Sequence, residues 1–198
     1  MISHKYKCIF IHIPRCSGTS MEVAINGKPN NGSDFKFKHL TASYARTLYK
    51  EYWNDYFKFS IVRNPWSRMV SMSKFPFYGC EIRNGKLNVN QYMQRWPVIE
   101  IDPRTDCHIK DHSIIYDNCV YQNLLSDDLD FVGKFENIEE DFIFIKQSIG
   151  LDLKKYPYYP NASNTKKHYT EYYDDETREI VAQKYAKDID YFQYKFGD

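Results

Sequence analysis

The sequence predicts an α/β fold in which a mainly parallel central sheet is flanked by helices. Three segments of strand type, at residues 6–13, 57–62 and 130–135, are each followed by a helical pattern. This alternation is typical of parallel sheets, in which helices connect successive strands. The first two segments are almost continuously apolar, as expected of strands that are covered on both faces. No linker or internal repeat is evident, so residues 1–198 are predicted to form one domain.

The first half of the chain contains two predicted helices. Residues 19–26 have a helical pattern that Gly27 ends. Residues 28–38 hold proline, glycine and asparagine and are predicted to be a loop. Thr41 is then a suitable N-cap for the next helix. The apolar stripe of that helix consists of Ala42, Ala45, Leu48, Tyr49, Tyr52 and Trp53.

The second strand leads directly into a third predicted helix. Asn64 is a suitable N-cap, and Pro65 fits the first helical position. Residues 75–86 contain a proline and two glycines and are predicted to be irregular. Residues 88–96 are predicted to form a short helix, and no element is predicted for residues 99–118.

The last part of the chain contains two further predicted helices. Residues 138–149 follow the third strand as a helix that Gly150 ends. Residues 156–168 are predicted to be a long loop, and such loops in compact domains are commonly functional. Asp174 then caps a final helix. One face of that helix consists of Val181, Tyr185, Ile189 and Phe192.

Composition and charge exclude several classes of function. The formal net charge is +1, so no general attraction to nucleic acid or to an anionic membrane is expected. No apolar run approaches the length of a membrane span, and residues 1–6 are too short and polar for a signal peptide. The five cysteines lack CxxC spacing, which argues against a disulfide framework or a metal site. We therefore predict a cytoplasmic protein without a bound metal.

Two segments at strand ends have the chemistry of anion-binding sites. Residues 14–20 read PRCSGTS, a polar turn that opens a helix after the first strand. The backbone N–H groups of such a turn and of the helix N-terminus suit a phosphate-like anion. Residues 63–71 read RNPWSRMVS and follow the second strand. Since ligands of parallel sheets lie at the carboxyl ends of strands, both segments are predicted to face one ligand.

These segments resemble the donor-binding motifs of sulfotransferases that use 3′-phosphoadenosine 5′-phosphosulfate (PAPS). Residues 11–20 are similar to the 5′-phosphosulfate loop of that family, and residues 62–71 to its 3′-phosphate motif. The likeness is closest to the carbohydrate O-sulfotransferase branch, which includes heparan 2-O-sulfotransferases and bacterial relatives. It extends to residues 133–138, 160–161 and 172–173. The resemblance implies a P-loop-like three-layer fold, PAPS as the donor and a carbohydrate hydroxyl as the acceptor.

The resemblance also implies roles for individual residues. Residues that would hold the 5′-phosphosulfate are Arg15, Cys16, Ser17, Gly18, Thr19 and Ser20. Arg63 and Ser71 would bind the 3′-phosphate, which remains on the product adenosine 3′,5′-bisphosphate. Transfer of a sulfuryl group, like phosphoryl transfer, depends mostly on positioning and electrostatic stabilisation. Arg15 would therefore also act in catalysis, by stabilising the negative charge that develops.

The acceptor hydroxyl needs a general base, and a neutral histidine suits that role at neutral pH. His39 lies between the two anion segments, where the resembled branch carries its catalytic histidine, and is the predicted base. His12 lies within the first strand and is predicted to be a core residue or to support the site. His108, His112 and His168 lie in polar regions and are predicted to be surface residues.

The first loop departs from the family pattern at Arg15, where a lysine is usual. Arginine keeps the charge and can contact two oxygens, but it cannot be deprotonated, so proton donation to the leaving group is not expected. The Cys16 side chain is expected to fill space, because the loop supplies no base to activate a thiol. The departure leaves open a non-catalytic relative that binds nucleotide or glycan. A P-loop kinase is less favoured, since the motif GxxxxGK[ST] lacks its first glycine and its lysine here.

Several further residues have two interpretations. Arg68 either binds the anion or forms a surface ion pair, and Glu136 either caps the following helix or contacts ligand. Asp106 and Arg104 are lower-ranked site candidates, and the family often shows glutamine where Arg104 stands. The basic run at residues 166–168 either contacts the nucleotide or an acidic glycan, or is a solvated surface patch.

Overall fold

The structure is a computed structural model that describes residues 1–29, 38–74, 80–89, 124–125, 128–158 and 167–198. The strands in these ranges are β1 (Ile2–Ser3), β2 (Cys8–Ile11), β3 (Phe57–Val62), β4 (Glu81–Arg83), β5 (Lys86–Asn88) and β6 (Phe131–Lys134). The α-helices are α1 (Gly18–Asn26), α2 (Ala42–Leu48), α3 (Pro65–Met72), α4 (Ile138–Ile149), α5 (Asp175–Lys184) and α6 (Ala186–Phe192). None of the helices in the described part is both long and apolar enough to cross a membrane.

The main sheet is mostly parallel, as predicted. Its strand order is β1-β2-β3-β6. Strands β2, β3 and β6 run parallel, with Phe10 opposite Phe59 and Ser60 opposite Val132, whereas β1 pairs antiparallel with β2. The three predicted strands are confirmed, the second with the predicted bounds and the first and third with shorter ones. Strand β1 was not predicted, because two residues are too few to show a periodic pattern.

Helices cover both faces of this sheet. On one face, Phe10 and Phe59 belong to the larger core, together with apolar residues of α1 and α4. On the other face, Ile9 and Ile11 pack against α2 and Trp53. All four side chains of β2 are buried, which explains why its sequence is apolar without alternation. The prediction of a mainly parallel sheet flanked by helices is therefore confirmed.

Most helix ends follow the predicted signals. The Thr41 side chain accepts a hydrogen bond at the start of α2, Asn64 does so at the start of α3, and Asp174 at the start of α5. Gly27 and Gly150 follow α1 and α4 with φ of 73° and 66°, in the left-handed region that glycine adopts readily. The predicted caps are therefore confirmed. They could be predicted because each depends on neighbouring residues alone.

Two predicted helices are shorter in the structure. Helix α2 ends at Leu48, so Tyr52 and Trp53 of the predicted stripe lie in the turns that follow. The predicted final helix is divided into α5 and α6 at Tyr185, whose φ and ψ are −104° and 23°. Neither glycine nor proline marks that break, so the sequence contains no local signal for it.

A β-hairpin occupies residues 81–88, where an irregular segment and the start of a helix were predicted. Strands β4 and β5 pair antiparallel. Asn84 and Gly85 have φ of 49° and 77°, which is typical of a two-residue hairpin turn. The Asn-Gly pair was the signal that the sequence prediction missed. Of the predicted helix at 88–96, Asn88 belongs to β5; the part from residue 90 onward and the segment 99–118 lie outside the described residues.

Candidate functional site

The two predicted anion segments lie side by side at the carboxyl ends of β2 and β3. These strands are parallel neighbours, with Ile11 opposite Ser60, so the turns that follow them leave the same edge of the sheet. The Ser60 hydroxyl donates to the Ile11 carbonyl at 2.8 Å across the strand pair. The sheet register therefore fixes both segments relative to each other.

The first turn has an uncommon backbone conformation. Arg15 and Ser17 have φ of 66° and 65°, in the left-handed region that residues other than glycine rarely adopt. Ser17 is the N-cap of α1, and its side chain makes no capping hydrogen bond. The first N–H groups of a helix lack partners within the helix. The start of α1 thus has the geometry that an anion-binding turn requires.

Gly18 allows this turn to lie against the His12 ring. A Cβ atom at Gly18 would overlap ring atoms of His12, which is only 4% exposed. We expect Gly18→Ala to lower the free energy of unfolding by about 1–3 kcal/mol, the usual cost of overpacking a core. Urea denaturation measures this loss. In a His12→Ala background the same substitution should lower the free energy of unfolding by less. An equal loss in both backgrounds would show that contact with the His12 ring is not the cause.

The side chain of Arg15 joins the two segments. Its Nε and Nη2 atoms donate to the Ser71 hydroxyl at 3.1 and 2.8 Å. Ser71 is buried in α3, and Arg15 is half-buried. The residues predicted to hold the two ends of one ligand are therefore in direct contact.

Arg63 brings a second guanidinium group to the same edge. Its Nη1 donates to the Arg15 carbonyl at 3.2 Å, and its Nε donates to the Ser67 hydroxyl at 2.9 Å. The guanidinium carbon lies 4.1 Å from the centroid of the Phe135 ring, within the range of a cation–π contact. These contacts hold two arginines next to each other, where both can face an anion.

Lys74 adds a further positive charge that the sequence prediction missed. It follows Ser71 by three residues, one turn farther along the chain. Partial burial, together with the positive charges of Arg15 and Arg63, lowers the pKa of Lys74 below its ordinary value of 10.5. Because like charges repel, an anion with several negative charges would stabilise this cluster. The spacing from Ser71 was the available signal.

Two buried side chains support the first turn from the protein interior. The Arg68 Nε donates to the Pro14 carbonyl at 2.9 Å, and Arg68 is only 2% exposed. The prediction of a surface ion pair at Arg68 is therefore wrong, since its guanidinium group lies inside the protein. The Tyr156 hydroxyl donates to Ser17, with distances of 3.0 Å to both the carbonyl and the side-chain oxygen. Burial raises the pKa of Tyr156, so its hydroxyl remains a donor.

His39 lies beside the turn and is held in one tautomer. Its Nδ1 atom is 3.0 Å from the His12 carbonyl oxygen. Since a carbonyl only accepts hydrogen bonds, Nδ1 carries the proton, and Nε2 of the neutral ring has the lone pair. The ring is half-buried and lies edge-on to the His12 ring, with 4.4 Å between centroids. The Nε2 atom has the state that a general base requires.

A cleft of about 500 Å³ opens beside Arg63. Its lining includes Arg63, Ser71, Phe135, Tyr158 and His168. This volume is within the range of small-molecule sites. The described ends of the predicted long loop, before residue 159 and after residue 166, both contribute to the lining.

Other predicted site residues occupy less direct positions. Thr19 is half-buried and Ser20 is buried in the first turn of α1. Cys16 is 1% exposed, and its Sγ lies 3.6 Å from a backbone carbonyl of the turn, as expected of a residue that fills space. Glu136 accepts a hydrogen bond from the Asn64 N–H at 2.9 Å. Of the two interpretations of Glu136, the cap of α4 is wrong, because the carboxylate bonds to the start of α3. Glu136 also lines the cleft, so contact with a ligand stays a prediction.

The structure describes only some of the remaining histidines and lower-ranked site candidates. His12 is buried, and His168 is exposed with its ring bonded to the Thr170 hydroxyl at 2.8 Å, so both predictions are confirmed. Lys167 is exposed at the cleft. The candidates that lie outside the described residues are Arg104, Asp106, His108, His112 and Lys166.

Comparison with known proteins gives one match. A family model described as "Sulfotransferase family" matches residues 1–195 of the 198. Neither the curated proteins nor the solved structures searched contain a match. The matched range includes both anion segments, His39 and the elements that form the cleft. Because the match covers nearly the whole chain, the protein belongs to the sulfotransferase family.

Proposed function

We propose that the protein transfers a sulfuryl group from PAPS to a hydroxyl group of a carbohydrate. Membership of the sulfotransferase family supports sulfuryl transfer in general. The contact between Arg15 and Ser71 supports the choice of PAPS as the donor, because it joins the predicted 5′-phosphosulfate loop to the predicted 3′-phosphate motif. A donor with negative charge on both its 5′ and 3′ positions fits such a paired site. ATP has no 3′-phosphate and would leave half of the site without a ligand.

The charges of the site suit this donor. Arg15 and Arg63 can each form two hydrogen bonds to phosphate oxygens, a geometry that lysine cannot match. The N–H groups that open α1 would complete the P-loop-like cradle. On binding, Arg15 would exchange its hydrogen bonds with Ser71 for bonds to the ligand. The cleft beside Arg63 has room for the nucleoside.

The proposed reaction is an in-line displacement at sulfur. The acceptor oxygen bonds to sulfur as the bond from sulfur to the phosphate oxygen breaks, which yields the sulfated acceptor and adenosine 3′,5′-bisphosphate. The Nε2 atom of His39 accepts the proton of the acceptor hydroxyl. Arg15 stabilises the negative charge that develops on the transferring group and on the leaving phosphate. Arg15 transfers no proton, since a guanidinium group stays charged in proteins.

The same proposal treats residues 1–198 as one catalytic domain. The Asn64 side-chain amide, which lies at the start of α3, donates to the Lys195 carbonyl at 2.8 Å. Phe196 packs edge-on to Trp66 of α3, with 5.6 Å between ring centroids. These contacts tie the last residues of the chain to the predicted 3′-phosphate segment, which supports a single unit. The cytoplasmic location stays a prediction.

Mass spectrometry tests the proposed function. The protein is incubated with PAPS and a panel of oligosaccharides that differ in their free hydroxyl groups. We expect one acceptor class to gain the mass of a sulfuryl group, with release of an equal amount of adenosine 3′,5′-bisphosphate. A parallel incubation with ATP and Mg²⁺ should transfer no phosphate. Phosphate transfer would contradict the proposal, and nucleotide binding without any transfer would favour the non-catalytic alternative.

A further inference from the structure

Three buried polar side chains form a chain of contacts beneath the first turn. The Nδ1 atom of His12 lies 2.7 Å from one carboxylate oxygen of Glu22. The other carboxylate oxygen of Glu22 lies 3.3 Å from the Lys38 ammonium. His12 and Lys38 are 4% and 7% exposed, and Glu22 is fully buried. Charged groups are rarely placed so deeply unless each has a partner.

The charges of His12, Glu22 and Lys38 are balanced. The ammonium of Lys38 compensates the Glu22 carboxylate. Burial lowers the pKa of His12, although its hydrogen bond to Glu22 opposes that shift. His12 is therefore neutral at physiological pH and donates its Nδ1 proton to the carboxylate. A carboxylate that is bonded on both sides fixes the direction of the His12 ring, which apolar packing alone would not do.

The contacts among His12, Glu22 and Lys38 connect the anion turn with His39. Gly18 of the anion turn lies against the His12 ring. The His12 carbonyl accepts the Nδ1 hydrogen bond of His39, and the two rings are 4.4 Å apart. Lys38 directly precedes His39 in the sequence. His39 is thus held through its ring by His12 and through its backbone by the residue that pairs with Glu22.

We propose that His12, Glu22 and Lys38 are positioning residues for His39. They hold the His39 ring in its Nδ1–H tautomer and at a fixed place relative to the turn that opens α1. The positioning role stands on the contacts above, and its catalytic consequence rests on the proposed function. If His39 is the general base, loss of this support lowers the rate of transfer more than it weakens binding of the donor.

Nitrogen NMR of histidine-labelled protein tests the positioning directly. The spectrum is recorded at about pH 8, above the ordinary histidine pKa of about 6.5, and the His39→Gln spectrum identifies the His39 signals. We expect wild-type His39 to carry its proton on Nδ1. In Lys38→Met the ring should exchange between tautomers, because the buried Glu22 charge loses its partner and the support of the ring shifts. Lys38→Arg, which keeps the charge, should restore the wild-type pattern.

A matched ion pair provides the control. Lys58 lies 2.7 Å from Asp130 and is 7% exposed, near the opposite end of β3 from the site. Lys58→Met removes a lysine that is about as buried as Lys38, although its partner Asp130 is 42% exposed and Glu22 is fully buried. It therefore reports the effect of losing a buried lysine away from the site. We expect its His39 signals to match those of the wild type. Unchanged His39 signals in Lys38→Met, or equal changes in Lys58→Met, would overturn the proposal.

Steady-state kinetics then tests the catalytic consequence. For Lys38→Met we expect kcat to fall by about tenfold to a hundredfold, the range for a misplaced catalytic group, with the KM for PAPS little changed. A rise in KM at constant kcat would show that the three residues support donor binding and would overturn the catalytic role. If the wild type transfers no sulfuryl group, the proposed function fails, and the NMR result still decides whether these residues position His39.

Discussion

Replacement of His39 by glutamine is expected to lower kcat for sulfuryl transfer by about 10²–10⁴-fold, the usual contribution of a general base. Glutamine can preserve a hydrogen bond to the His12 carbonyl through its amide NH₂ group, but it cannot accept a proton at neutral pH. The phosphate-binding roles are predicted for other residues, chiefly Arg15 and Arg63. Binding of adenosine 3′,5′-bisphosphate should therefore be retained. Transfer kinetics and isothermal titration calorimetry measure the two quantities.

His4→Gln is the matched control for this prediction. His4 is exposed, and its Nδ1 atom lies 2.8 Å from the Tyr56 hydroxyl. It precedes β2, at the opposite end of that strand from the first turn, and should affect transfer little. A His39→Gln variant with wild-type kcat, or one that loses nucleotide binding as well as activity, would show that His39 is not the general base.

Replacement of Arg15 by methionine should have a second large effect. The change removes a positive charge from the predicted phosphosulfate loop and both hydrogen bonds to Ser71. Loss of one group that stabilises developing negative charge typically costs about 10²–10³-fold in kcat. We also expect weaker binding of adenosine 3′,5′-bisphosphate. Transfer kinetics and calorimetry on the same preparation measure both effects.

Arg15→Lys and Arg46→Met separate charge from general effects of substitution. Arg15→Lys restores the residue that the family usually carries and keeps the charge, so its kcat should fall much less than that of Arg15→Met. Some loss is expected, because lysine cannot form the paired hydrogen bonds of a guanidinium group. Arg46 forms an exposed ion pair with Asp128, and its replacement should change little. Equal activity of Arg15→Met and the wild type would remove Arg15 from the catalytic machinery. It would also favour a different position for the transferring group.

The features that could be predicted from the sequence depend on residues close together in the chain. The apolar run of β2 indicated a strand that is buried on both faces, and Asn64 followed by Pro65 indicated the start of α3. Strand ends followed by polar turns placed the anion segments at one edge of the sheet, because parallel neighbours end on the same side. Local signals were therefore enough for the sheet and for the position of the site.

The features that could not be predicted depend on contacts between distant segments. Arg15 and Ser71 are 56 residues apart, and Ser17 and Tyr156 are 139 residues apart. No pattern of spacing reveals such pairs, because they form only when the sheet register and the helix packing bring them together. The buried position of Arg68 has the same cause: its charge suggested a surface residue, whereas α3 directs it beneath the turn.

The central claim is that one nucleotide with both a 5′ and a 3′ phosphate group occupies the paired anion segments. Calorimetry of adenosine 3′,5′-bisphosphate and of adenosine 5′-monophosphate, on the wild type and on Arg63→Ala, tests it most directly. A charge-assisted hydrogen bond is worth about 1.5–3 kcal/mol, so the wild type should prefer the bisphosphate by at least about tenfold. Arg63→Ala should lose most of that preference, and its affinity for the monophosphate should fall by less than its affinity for the bisphosphate, because Arg63 also donates to the Arg15 carbonyl of the first turn. Equal affinity of the wild type for both nucleotides would contradict the account.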